Sequence, residues 1–207
     1  RVCLAAPHGP EASRLLGAIA RLDDPCAGHV LVDGVRVDRL SFADLYGCVQ
    51  LVAPSIPLLR GTIEDNVRYA AKNDAAVERA LALCGLDAKS DVAAAGRSLR
   101  VGDRGTNLSP GLAARVRLAR ALAVEPEILL VDDPAFETSP EAAAALARAL
   151  QSMPMTFIGV LAPEASGVRF DRDWEISPRG LRDEARARPG VAATRAERVA
   201  VRLVPSS

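Results

Sequence analysis

"SPGLAARVRLARALAVEPEILLVDDP", residues 109–134, is the stretch that decides the fold. Its first part, 109–126, predicts a helix. Ser109 suits an N-cap, and Val116, Leu118, Ala119 and Leu122 form an apolar stripe set against the arginines. Its second part, "EILLVDDP" at 127–134, predicts a short buried strand that ends in two aspartates. A helix delivering the chain into a buried strand is the unit from which parallel sheets are built.

The same alternation extends outward in both directions. Upstream, 1–6 predicts a buried strand and 13–22 a helix stopped near Asp23-Asp24-Pro25. "GHVLVDGVRV" at 28–37 predicts a hairpin turning at Asp33-Gly34, and "CVQLVAP" at 48–54 another strand ended by Pro54. Residues 73–86 predict a helix with apolar Val77, Leu81 and Cys84, closed near Gly85. Downstream, "SPEAAAALARALQSM" at 139–153 predicts a helix with Pro140 at its first position, and "TFIGVLA" at 156–162 a further strand. From Pro178 onward the chain is rich in arginine, alanine and proline with little periodicity, which predicts a loosely held, flexible tail over 178–207.

Composition bounds the partners. Hydrophobic residues make up 49% of the 207 and aromatics only 3%, so the core must be built from aliphatic side chains. The 26 basic residues balance 26 acidic ones, which gives no argument for nucleic acid as a partner. Cys3, Cys26, Cys48 and Cys84 stand apart with only His8 and His29 to assist them; buried reduced thiols fit this better than a zinc site. "MTFIGVLA" at 155–162 is too short to span a bilayer, and no signal peptide is visible. The chain opens on Arg1 within a strand-like run, so we expect it to be a C-terminal part of something longer.

Four segments, in order, resemble the nucleotide-binding domain of ATP-binding cassette (ABC) transporters of the exporter type. They are "LDDPCAGHVLVDGVRVDRLSFADLYGCVQLV" (22–52), "LLRGTIEDNVRY" (58–69), "VGDRGTNLSPG" (101–111) and "RVRLARALAVEPEILLVDDP" (115–134). The resemblance implies an α/β, P-loop NTPase-like domain over 1–177 with a mostly parallel sheet. It also implies a helical subdomain at about 58–115 and a small antiparallel β piece. The family's N-terminal strands, with the aromatic that stacks on adenine, have no counterpart here, so an unpaired sheet region is expected.

Set against the family's motifs, the site residues differ in places that matter. The phosphate loop GxxGxGK[ST] reads Ala6, Pro7, His8, Gly9, Pro10, Glu11, Ala12, Ser13. Gly9 and Ser13 keep a turn glycine and a hydroxyl for magnesium. Ala12 stands in place of the lysine, Pro10 has no N–H to give, and Glu11 adds a negative charge beside any phosphate. A like charge ~4 Å away at an effective dielectric of ~20 costs roughly 4 kcal/mol. Read without the resemblance, the loop is a plain strand-to-helix turn.

The signature LSGGQ reads Leu108, Ser109, Pro110, Gly111, Leu112, in which Ser109 and Gly111 would meet the γ-phosphate held by an opposing subunit. Ser109 is equally an ordinary N-cap. Asp132 would hold magnesium through water beside Ser13, and Asp133 stands where the family has its catalytic glutamate. The plain reading of both is a strand end with solvated aspartates. Pro54 takes the Q-loop glutamine's place, with Gln50 four residues early. Phe136–Ser139 lack the D-loop aspartate, and Ala162-Pro163 fall at the switch histidine. "VGDRG" at 101–105 matches a loop that, in exporters, lies near the membrane domains' coupling helices.

The resemblance therefore implies a degenerate ABC exporter domain with impaired or absent ATP hydrolysis. ATP and magnesium would be its cofactors. Its partners would be a second nucleotide-binding domain and membrane-spanning domains upstream on the same polypeptide, with the domain itself at the cytoplasmic face of the membrane. Two alternatives stay open: a working ABC ATPase with unorthodox motifs, or a stand-alone interaction protein on the same fold.

Overall fold

The computed structural model describes residues 2–5, 10–25, 28–87, 96–161, 168–177, 180–185 and 201–204. Its largest sheet has six strands in the order β10-β9-β1-β8-β7-β4. They are β1 (Val2–Ala5), β4 (Val49–Val52), β7 (Ile128–Val131), β8 (Thr156–Gly159), β9 (Arg172–Ser177) and β10 (Gly180–Ala185). All neighbours pair in parallel except β10, which runs antiparallel to β9. A three-stranded antiparallel sheet sets β2 (His29–Val32) between β3 (Val35–Arg36) and β11 (Val201–Val204), and β5 (Gly61–Thr62) pairs antiparallel with β6 (Arg100–Val101).

β7 shows why the sheet is two-sided. All four of its residues are buried. Ile128 and Leu130 pack with Leu16 and Ile19 of α1 (Pro10–Ile19), and with Leu45 of α2 (Phe42–Cys48). Leu129 and Val131 point the other way. There they join α3 (Ile63–Arg68), α4 (Asp74–Leu83), α5 (Pro110–Leu122) and α7 (Pro140–Ser152), with α6 (Ala135–Thr138) beside them. Period-two alternation thus feeds two apolar layers, and each fully buried Leu or Ile adds about 1.5–3 kcal/mol.

The α/β architecture, its helical subdomain and the small antiparallel piece are as the sequence predicts. β2 and β3 turn at Asp33 (φ 50°) and Gly34 (φ 80°), the left-handed pair that a two-residue hairpin needs. α5 and α7 each begin at a proline behind a serine cap, Ser109 and Ser139. α4 is capped by Asn73, and Gly85 (φ 61°) follows its end.

Two helix bounds need correction. α1 starts at Pro10, three residues before Ser13, because proline's fixed φ suits a first turn that needs no N–H from it. It stops at Ile19, before the acidic stretch: Arg21 turns left-handed (φ 54°) and Leu22 N–H returns to the Gly17 carbonyl at 2.8 Å. Within 178–207, where a loosely held tail was expected, the described residues form β10 and β11. Each pairs with a strand laid down earlier in the chain, β10 with β9 and β11 with β2. Helix α3 carries a full capping box, with Thr62 and Asp65 each bonding the other's backbone N–H.

Candidate functional site

In open α/β sheets, ligands settle outside the carboxyl ends of the strands. Here β1 leads toward α1 and β7 ends at Asp132-Asp133, with β8 between them. The structure brings two of the predicted residues together across that end. Ser13 Oγ donates to Asp132 Oδ2 at 2.5 Å, linking positions far apart in the chain. A hydroxyl and a carboxylate in contact are the donors that a magnesium ion retaining several waters would take. Among the described residues no group of three or more His, Cys, Asp or Glu gathers to form a metal centre by itself.

The start of α1 is otherwise unhelpful to an anion. Ala12 is buried at 1% exposure, while Glu11 lies exposed in the first turn. Ala6, Pro7, His8 and Gly9 lie outside the described residues, as do Ala162 and Pro163.

Asp133 has different surroundings from its neighbour. It is 3% exposed. Its Oδ1 accepts the Ala135 N–H at 3.0 Å, and its Oδ2 accepts from Arg117 Nη1 at 3.3 Å. Burial pushes the Asp133 carboxyl up, with the Ala135 N–H and the Arg117 charge opposing it. Burial likewise draws the Arg117 guanidinium down.

Arg117 also explains the loop after β4. Its Nε donates to the Ile56 carbonyl at 3.0 Å, and Arg120 Nη1 donates to the Pro57 carbonyl at 3.0 Å. Asn66, fully buried, fixes Leu59 from both sides: its Oδ1 takes the Leu59 N–H at 2.8 Å and its Nδ2 gives to the Leu59 carbonyl at 2.9 Å. An irregular segment has no ladder of its own, and here side chains satisfy its backbone groups. Pro54 is exposed within this loop. Gln50 is committed elsewhere, its Nε2 donating to the Tyr46 carbonyl at 2.5 Å.

The first arginine of α5, Arg115, is buried and donates through Nε to the Cys84 carbonyl at 2.8 Å and through Nη2 to the Gly85 carbonyl. With Arg148 Nε on the Leu83 carbonyl at 2.8 Å, it caps the electronegative end of α4. The expectation of buried thiols holds for Cys84, which is fully buried with its thiol pushed up to about 12 by desolvation. Cys48 is only half-buried, and both are free.

Ser109 and Gly111 both have work inside the fold. Ser109 Oγ accepts the Leu112 N–H at 3.3 Å as the α5 cap. A Cβ on Gly111 would lie 2.4 Å from Ser139 Oγ, so the starts of α5 and α7 meet where only a glycine fits. The 101–105 loop has the turns its glycines suggest, with Arg104 (φ 53°) and Gly105 (φ 79°) left-handed. Asp103 lies exposed, 4.0 Å from Arg60, and Leu58 pairs with Arg104. Leu59 and Tyr69 are exposed apolar side chains on adjoining segments.

Sequence reasoning missed Arg117, Arg120 and Asn66. Polar residues inside an apolar helix normally signal solvent; here Arg117 and Arg120 reach carbonyls 61 and 63 positions away, and Asn66 bonds the backbone of Leu59, seven residues before it.

Three comparisons bear on this geometry. The family model described as "ABC transporter" matches residues 9–136, more than half the chain. The ATP-dependent lipid A-core flippase of Cupriavidus metallidurans is 33% identical over 157 residues, covering 73% of this chain and 26% of the flippase. Protein STAR1 of Oryza sativa subsp. japonica is 34% identical over 145 residues, covering 67% of this chain and 39% of that protein. Among solved structures, a bacterial Atm1-family ABC exporter with ATP bound superposes with a TM-score of 0.69 at 24% identity. That match covers 84% of this chain and 31% of the exporter, and it speaks for the fold. The chain spans a quarter to two-fifths of the length of these two curated relatives. No helix among the described residues is long and apolar enough to cross a membrane.

Proposed function

The chain belongs to the ABC transporter family, and from that premise we propose that it is an exporter-type nucleotide-binding domain whose own ATP site has lost hydrolysis. The observation that carries this reading is the start of α1. Ala12, at the lysine position, is buried and presents no cation, while Glu11 beside it presents a negative charge. The 2.5 Å contact of Ser13 with Asp132 supports a magnesium ion bound there along with a phosphate. Such an ion would supply charge neutralisation for that phosphate. Asp133 is the position from which a base would act, and Gly9, Ser109 and Gly111 are the remaining phosphate contacts.

In this reading the domain works by assembly. It pairs with a second nucleotide-binding domain, whose ATP Ser109 and Gly111 would cover, and it docks on membrane-spanning domains at the cytoplasmic face. Exposed Leu59, Tyr69, Asp103 and Arg104 support a docking surface with both apolar and charged contacts.

Fluorescent-ATP binding and phosphate release by the full-length protein, with magnesium, test the reading. We expect no turnover above background. Magnesium-dependent hydrolysis that disappears in Asp133→Asn would overturn it and favour a working ATPase with unorthodox motifs. Restoring Glu11→Gly with Ala12→Lys should raise ATP affinity by at least about tenfold, since a ~1.4 kcal/mol gain is modest for one charge removed and one added.

A further inference from the structure

Arg117 is the one described side chain that touches Asp133 by an ionic contact, and it touches the loop after β4 at the same time. A guanidinium is a rigid fork, so two acceptors held by different nitrogens are fixed relative to each other. The three segments so joined are α5, residues 53–59 and the end of β7. Arg120 reinforces the middle one through the Pro57 carbonyl. Each Asp133 oxygen already accepts one hydrogen bond, and the side chain is only 4% exposed, which leaves little room for a water at its remaining lone pairs. A base must reach the proton it takes directly or through one water.

We propose that Arg117 is a positioning residue that withholds Asp133 from chemistry, turning the second acidic position into an anchor that holds α5 and the 53–59 loop to the sheet. The proposal rests on the loss of hydrolysis argued above and gives it a cause beyond the phosphate loop. It also means that lengthening Asp133 to glutamate would not by itself supply a base, because the guanidinium would still hold the carboxylate.

Amide hydrogen exchange by NMR, on the whole chain without nucleotide, tests this directly. The Ala135 N–H reports on Asp133 and the Ile56 N–H, bonded to the Ala53 carbonyl, on the loop. In Arg117→Met both amides should quicken at least about tenfold more than those of α1, which report the loss of global stability, so that a local opening stands out above the global one. Arg117→Lys should return part of the protection at Ala135. If Arg117→Met does not fold, Asp133→Asn serves: it keeps the shape and the Ala135 contact, and the Ile56 amide should still quicken. Unchanged rates at both amides in Arg117→Met, or at Ile56 in Asp133→Asn, would overturn the proposal. So would a uniform rise across the chain, which would make Arg117 a general contributor to the core. ATP turnover by the wild-type protein would sink the functional reading, whereas these exchange rates, taken without nucleotide, judge the clamp independently.

Discussion

α1 and α5 both begin at a proline, and the family resemblance sets phosphate contacts at the start of each, yet the two starts are built differently. At α5, Ser109 caps the helix, Gly111 meets Ser139, and Arg115, Arg117 and Arg120 hold carbonyls on two other segments. At α1, Glu11 and Ser13 are exposed, and Ser13 reaches only as far as Asp132. The difference teaches which residues can testify about nucleotide. Ser109 and Gly111 are accounted for by folding alone. The Ser13–Asp132 contact supports little of the core, so it is the better witness to a ligand.

Substitutions should follow that division. The largest effect belongs to Arg117→Met, which leaves Asp133 charged, buried and unpaired. Urea unfolding should show a loss of about 3–5 kcal/mol, and a loss under about 1 would break the comparison. Gly111→Ala comes next, since its methyl would lie 2.4 Å from Ser139 Oγ; about 1–3 kcal/mol of overpacking should appear in the same assay. Ser109→Ala should cost about 1 kcal/mol as a lost cap. Ser13→Ala should leave unfolding within about 0.5 kcal/mol while weakening any magnesium-dependent ATP binding. A Ser13→Ala loss as large as that of Ser109→Ala would put the two helix starts on an equal footing.

Acid should act at α3, outside the compared regions, and so gives a control. Backbone and side-chain bonds from Thr62 hold the Asp65 carboxyl below its ordinary value. A depressed carboxyl adds stability above its unfolded pKa and gives it up as pH falls through the folded one. Asp65→Ala should therefore flatten the acid limb of the stability profile, measured by thermal melts from neutral pH downward, and leave Arg117→Met's deficit unchanged.

Much of this was legible in the residues. α5, α7 and α4 announce themselves by caps and first-turn prolines, and β7 by an apolar run bounded on both sides. Asp33-Gly34 names its own turn. What escaped reading was whatever depends on a distant partner. β10 and β11 have no pattern of their own and become strands by pairing with β9 and β2. The arginines of α5 show only as a polar set against the apolar stripe, because nothing local reveals the carbonyls that await them. At the site, alignment placed Ser13 beside Asp132, and the 2.5 Å contact agrees. Alignment set Asp133 at the catalytic glutamate's place and was silent on its surroundings, which are set by a residue sixteen positions earlier on another element.

The position of β1 within the largest sheet has a consequence in time. Val2 and Cys3 pair with Ile158 and Gly159 on one side and with Arg172 and Asp173 on the other. Those partners leave the ribosome more than 150 residues after β1, which at ordinary elongation speeds is on the order of ten to thirty seconds. Throughout that interval β1 waits with both edges open, and the apolar faces of β4 and β7 wait for the strand that will join them to it. The chain cannot assemble this sheet progressively from its first strand; it must close late and together. A nascent chain stalled before Thr156 should thus be a strong client for chaperones, however stable the finished domain.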